Sequence, residues 1–218
     1  MMKYKAAVFD MDGTILDTLQ DLADAMNYEL KKNNMPERNI DEIRRFVGNG
    51  IRKLVERACP DTTAQDKIDA IFADFIEYYK THCEINTKPY AGIQELLQKV
   101  RIAGVKIAVN SNKADSAVQI LCDKYFPKMF DTAVGEREGF ERKPAPDSVN
   151  EILRRFGIKK EEAVYIGDSD VDFETAKNAE LDFIGVDWGF RGRDFLQKCG
   201  AKTIAMDTAE AARLILES

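Results

Sequence analysis

Histidine is almost missing from this sequence: His82 is the only one in 218 residues. A multi-histidine zinc centre is therefore excluded, and any Ser-His-Asp triad would have to use that one residue. His82 closes the helical stretch EYYKTHCEI, where it reads as a structural or surface residue. Neither a GxSxG elbow nor a GxxxxGK(S/T) phosphate loop occurs. The four cysteines, Cys59, Cys83, Cys122 and Cys199, form no CxxC and no cluster, so free thiols are expected rather than disulfides. No apolar run reaches membrane-spanning length. The opening MMKYKAAVFD runs straight into a strand-like segment without the features of a signal peptide, so the expectation is a cytoplasmic protein with no membrane partner. Acidic residues outnumber basic ones, 38 to 32, for a net charge of −6. Generic nucleic-acid binding needs the opposite balance.

The first motif is AAVFDMDGTILD, residues 6–17, an apolar run that ends in Asp10 and Asp12 with no basic neighbour in sequence. In an extended chain these carboxylates would emerge on one side, about 7 Å apart. At that distance they repel by roughly 2 kcal/mol at an effective dielectric of 20, so a positive partner is expected from elsewhere in the chain. Residues 4–10 read as a buried strand. From about 18 to 82, apolar residues recur at three- and four-residue intervals, a run of amphipathic helices broken at 33–36, 48–50 and 59–61. After KPYAG (88–92) the pattern alternates between strand and helix, with strands at 105–112, 130–135, 162–170, 182–187 and in KTIAM. The expected fold is therefore α/β. A parallel Rossmann-like sheet has helices on both faces, and an α-helical domain is inserted after the first strand. The core would take residues 1–16 and 86–218, and the insertion 17–85.

Ligands of such sheets bind beyond the carboxyl ends of the strands. Three strand ends here carry polar groups: Asp10 and Asp12; Ser111 and Asn112 in NSN; and Asp168, Ser169, Asp170 and Asp172 in GDSDVD. Lys143 lies in ERKPAPD, just before another helix. An oxygen-rich acidic site without histidine or cysteine suits a hard cation such as Mg²⁺. A carboxylate there can attack phosphorus, a second can pass a proton, and a lysine and a hydroxyl can offset phosphoryl charge. Taken singly, Asp168 or Ser169 could cap the following helix, Ser111 could be a turn hydroxyl, and Lys143 a solvated charge. As a set they read as functional. Asp170 is expected to be exposed and structural. Trp188, with Phe190 and Arg191, reads as a hydrophobic plug.

The ordered set DMDGT, Ser111 after a strand, Lys143 in KPAPD and GDSDVD resembles the four motifs of the haloacid dehalogenase superfamily, over nearly the whole chain. The resemblance implies a small helical cap at the insertion. It makes Asp10 nucleophile and metal ligand, and Asp12 acid/base and, through its carbonyl, metal ligand. Asp168 becomes a further ligand of Mg²⁺ with Asp172 in support, and Ser111 and Lys143 bind the phosphoryl group. Asn112 is a candidate phosphoryl contact through its backbone N–H. A second aspartate at Asp12 resembles the phosphatase branch. FVGNGIRKLVERA, NSNK and VGEREGFERKPAPD are similar to the phosphoglycolate phosphatases of that superfamily, with Asn110 before the serine and Glu180 in place of a more usual glycine as departures.

The expected substrate is thus a small phosphorylated metabolite, and the chain a monomer or homodimer. Gly50 and Arg52 are the candidate substrate contacts of the insertion; Gly48 and Gly50 also read as helix punctuation, and Arg52 as part of a solvated basic face with Arg44, Arg45, Lys53 and Arg57. The insertion is expected to hinge near 14–18 and 83–90 and to close over the site. A phosphomutase, a pyrophosphatase or nucleotidase of the same superfamily, and a receiver-like signalling module remain as alternatives.

Overall fold

The structure, a computed structural model, describes residues 3–217. The chain divides into two compact units, one formed by residues 1–16 with 89–218 and one by Asp17–Lys88.

The first unit is built on six strands: β1 (Ala6–Phe9), β4 (Lys106–Ala114), β5 (Thr132–Glu136), β6 (Ala163–Gly167), β7 (Asp182–Val186) and β8 (Ile204–Ala205). Their order is β5-β4-β1-β6-β7-β8, and every pairing is parallel. A strand buried on both faces reads as a continuous apolar run, and β1, AAVF, is fully buried at all four positions. Alternation still sorts the faces. Ala7 and Phe9 pack with Leu96, Leu97 and Val100 of α5 (Ile93–Ile102), Val118 and Leu121 of α6 (Asp115–Tyr125) and Ile215 of α10 (Thr208–Leu216). Ala6 and Val8 pack with Ile152 of α7 (Asp147–Phe156) and Ala176 of α8 (Asp170–Ala179). A smaller cluster around Leu196 seats α9 (Arg193–Cys199).

Because β1 lies between β4 and β6, the carboxyl ends of these three strands are neighbours, and the chain reverses its direction of growth through the sheet there. That point is where open α/β sheets bind ligands. The strand at 162–170 is shorter than the sequence suggests, since α8 starts at Asp170 under an N-cap from Ser169. Helix α8 ends at Glu180 with φ +63°, a left-handed position that glycine fills without strain.

The second unit holds four helices: α1 (Leu19–Lys32), α2 (Ile40–Phe46), α3 (Ile51–Ala58) and α4 (Gln65–His82). Helix α1 packs on α4 and α2, and α3 on α2 and α4. Their buried faces supply Met26, Leu30, Ile43, Leu54, Ile71 and Phe75. Asn39 and Glu42 form a reciprocal capping box at the start of α2. Asp21, buried near the start of α1, accepts hydrogen bonds from both backbone N–H and side chain of Asn86 and of Thr87, at 2.7–3.0 Å. His82 stacks on Tyr78, ring centroids 3.8 Å apart, in keeping with a structural role. All four cysteines are free thiols. Two short strands, β2 (Leu16–Asp17) and β3 (Lys88–Pro89), pair separately. No helix among the described residues is long and apolar enough to cross a membrane.

Candidate active site

The chain leaves β1 at Phe9, so Asp10 and Asp12 stand on a turn rather than on an extended strand, and strand alternation does not set their separation. Gly13 follows at φ +91° and its N–H donates to Leu16 O at 2.9 Å. Each carboxylate meets its own lysine. Lys143 Nζ lies 2.6 Å from Asp10 Oδ1, and Lys113 Nζ lies 2.9 Å from Asp12 Oδ1. The positive partner that the sequence calls for is thus a pair of ammonium groups, both from other strand ends or loops.

Lys143 is buried and also contacts Asp172 Oδ1 at 2.7 Å. Asp172 is held in turn: its Oδ2 accepts the Ser169 hydroxyl at 2.6 Å and the Ser169 N–H at 3.1 Å. Ser169 is therefore both the N-cap of α8 and a brace for a charged side chain. Asp168 Oδ2 accepts the Phe190 N–H at 2.7 Å. Trp188 fixes the same loop by donating from its indole to Thr14 O at 3.0 Å and packing on the core, the plug anticipated from sequence. Thr14 Oγ1 stands 3.4 Å from Asp10 Oδ2.

Oxygens of Asp10, Asp168 and Asp172, one from each, lie within 4.8 Å of one another, and all three residues are buried. Three glycines make room for them. A Cβ on Gly13 would sit 2.4 Å from Asp168 Oδ2, one on Gly189 would sit 2.2 Å from Asp168 Cβ, and one on Gly167 would meet Asp172 Cβ at 2.3 Å. Crowded carboxylates in a dry site are costly. Burial, and then the Asp172 charge, push the Asp10 carboxyl up to about 7 against the pull of Lys143. Burial, Asp172 and Asp10 hold Asp168 well above the usual carboxylate range. Burial works against the Lys143 charge, yet Asp10 and Asp172 keep its ammonium well above its ordinary value. A buried cradle of hard oxygen donors with excess negative charge fits a divalent cation of the magnesium type.

The remaining expected residues are placed as follows. Ser111 and Asn112 line a small cleft together with Lys143 and Ser148. Asn112 acts through its side chain: Nδ2 donates to Lys143 O at 3.2 Å and Oδ1 accepts the Lys143 N–H at 2.9 Å, so it ties β4 to the lysine loop. Gly50 caps α3 at φ +82°. Arg52, also in the helical unit, has its guanidinium shared by Glu56 and Asp69. Asp170 is a correction. It is half-buried rather than exposed, its Oδ1 enclosed without a hydrogen-bond partner among the described residues, as the first residue of α8 where the helix dipole favours an anion.

Sequence reasoning missed Lys113, Thr14, Tyr165 and the bracing by Ser169. Lys113 gave no usable signal beyond its place two residues after Ser111, because residues 111–113 leave the β4–β5 ladder. Tyr165 had none: its hydroxyl donates to Asn110 O at 3.2 Å across the face of the sheet, a pairing that only topology reveals. That contact gives the unusual buried Asn110 a partner.

The family model for haloacid dehalogenase-like hydrolases matches residues 7–186. A phosphoglycolate phosphatase of Rhodobacter capsulatus is 35% identical over 192 residues, covering 85% of each chain. One from Aquifex aeolicus is 30% identical over 187 residues, covering 85% of this chain and 86% of its own. The solved structure of a protein from Lactobacillus delbrueckii subsp. bulgaricus superposes with a TM-score of 0.95 at 40% identity, covering both chains fully. With the ordered strand-end motifs brought together in space and a family match over most of its length, this chain belongs to the haloacid dehalogenase-like hydrolases.

Proposed function

We propose that this hydrolase is a Mg²⁺-dependent phosphatase that releases phosphate from a small phosphorylated metabolite through an aspartyl-phosphate on Asp10. Phosphoglycolate is the substrate named by its relatives and the first to test. The observation that carries the reading is the buried Asp10 carboxylate, 2.6 Å from Lys143 and grouped with Asp168 and Asp172 at the carboxyl edge of the sheet.

In this reading Asp10 attacks phosphorus while the bond to the leaving alkoxide breaks, and Asp12 gives that alkoxide its proton. Asp12 then takes a proton from the water that attacks the phosphoryl group, and Asp10 is freed. Lys143 and the Ser111 hydroxyl hold the phosphoryl oxygens, and Asn112 keeps the Lys143 backbone in place. Asp10 and Asp168, with the Asp12 carbonyl, would hold the metal, and Asp172 supports them by fixing Lys143. Bound Mg²⁺ supplies neutralisation of charge on the phosphoryl oxygens. Gly50 and Arg52 stand as substrate contacts of the helical unit.

The test is a magnesium-supplemented panel of phosphoglycolate, pyrophosphate, nucleoside monophosphates and hexose phosphates, run on the native chain and on Asp10→Asn. The reading expects multiple turnover with a preference for phosphoglycolate and a loss of at least about a thousandfold in the variant. Stoichiometric phosphorylation without turnover would indicate a signalling module. Sugar-phosphate interconversion would indicate a mutase.

A further inference from the structure

Lys113 is the one ammonium at the strand ends that the scheme above leaves without work. Its placement has a local cause. The pairing of β4 with β5 runs in register through Asn110–Val134 and resumes, shifted, at Ala114–Glu136. Residues 111–113 therefore leave the ladder, and such irregularities re-aim side chains. The Ser111 hydroxyl holds the departure by accepting the Lys113 N–H at 3.2 Å. Gly135 on β5 permits it, because a Cβ there would lie 2.5 Å from Lys113 O and from Asp115 Cα. The re-aimed side chain is 3% exposed and reaches Asp12, 101 residues earlier, at 2.9 Å.

A buried ammonium spent on a proton-transfer carboxylate has a geometric consequence. With Oδ1 fixed by Lys113, the plane of the Asp12 carboxyl is fixed too, and Oδ2 is left as the oxygen that exchanges a proton with the leaving group. A general acid must stand within hydrogen-bond reach of the atom it protonates, and small displacements are expensive. We infer that Lys113 is the positioning residue of Asp12, orienting its carboxyl for proton transfer to the leaving oxygen and from the attacking water. The inference rests on the reading of Asp12 as acid/base.

The proton passes from Asp12 to the alkoxide as the phosphorus–oxygen bond breaks and the Asp10–phosphorus bond forms; it returns from water as that bond breaks. A good leaving group needs no proton in the step that forms the aspartyl-phosphate, which kcat/KM reports, whereas the water step is common to both esters; kcat/KM therefore separates positioning from general damage. Wild type, Asp12→Asn, Lys113→Met and the double variant are assayed on phosphoglycolate, or the best alkyl ester of the panel, and on p-nitrophenyl phosphate, with thermal melts for folding. Lys113→Met is expected to lower kcat/KM on the alkyl ester by about tenfold or more, and that on the nitrophenyl ester far less. The double variant should be no slower than Asp12→Asn. Lys113→Gln keeps a donor and should recover part of the rate; it also serves if the methionine variant does not fold. Equal loss of kcat/KM on both esters, a raised KM with unchanged kcat, or additive losses would overturn the inference while leaving the acid/base reading intact. A loss of kcat/KM in Asp12→Asn that does not depend on the leaving group would overturn that reading and the inference with it.

Discussion

Each unit buries carboxylates, and the two do it in opposite ways. Asp21 of the helical unit is met by four donors from Asn86 and Thr87, so its lone pairs are satisfied and it knits α1 to the chain that returns from α4. Asp10, Asp168 and Asp172 of the sheet unit are packed against each other, with Lys143 as the shared cation. The first arrangement is a finished structural joint. The second is an electrostatic strain that the fold tolerates at one strand edge, and such strain marks functional sites. The contrast extends to the helical unit's exposed ion pairs, Arg44–Asp41, Lys53–Glu56 and Lys32–Asp74, which solvent screens.

The sharpest way to break the comparison is at Lys143. Lys143→Ala leaves Asp10 and Asp172 buried without their cation, and a loss of about 3–5 kcal/mol is expected in chemical denaturation without metal, together with loss of activity. A variant as stable as wild type would mean that the carboxylates do not depend on it. Next in size is Asp21→Ala, which strands two backbone N–H groups; about 2–4 kcal/mol should be lost with phosphatase turnover per folded molecule retained. An opposite sign is expected at Asp168. Since the folded carboxyl is raised, its ionised form is disfavoured in the fold, and Asp168→Asn should raise the melting temperature of the metal-free protein while abolishing activity.

The pH dependence follows with its sign. Asp10 is raised to about 7, so its own contribution to the stability of the metal-free fold is complete below the ordinary carboxylate range and is lost as pH rises through about 7. Magnesium is expected to reverse that loss, and the melting temperature gained on adding it should be larger at about pH 8 than at about pH 5.5. The smallest effect belongs to the helical unit's surface: Asp69→Asn, which releases one partner of Arg52, should leave the melting temperature within replicate error.

Much of this organisation is written locally. The fully apolar β1, the three- and four-residue spacing of α1 and α4, and the acids and hydroxyl that close β1, β4 and β6 are chain-local signals. Parallel-sheet geometry then gathers the strand ends. What local pattern does not carry is contact across the sheet. Lys113 reaches Asp12 because β4 leaves its register, Tyr165 serves Asn110 from two strands away, and the Asn112 amide ties β4 to the Lys143 loop. Asp170 was misread for the same reason, since its enclosure depends on the packing around the start of α8 rather than on its place in GDSDVD.

The account turns on Asp10 as the atom that receives phosphorus. Rapid acid quenching of the magnesium-loaded enzyme during turnover, followed by peptide mass analysis, reads this directly. The account predicts a phosphoryl group on the peptide carrying Asp10, appearing and decaying at rates compatible with turnover, and absent in Asp10→Asn. Steady phosphate release with that peptide unmodified at every quench time would contradict it.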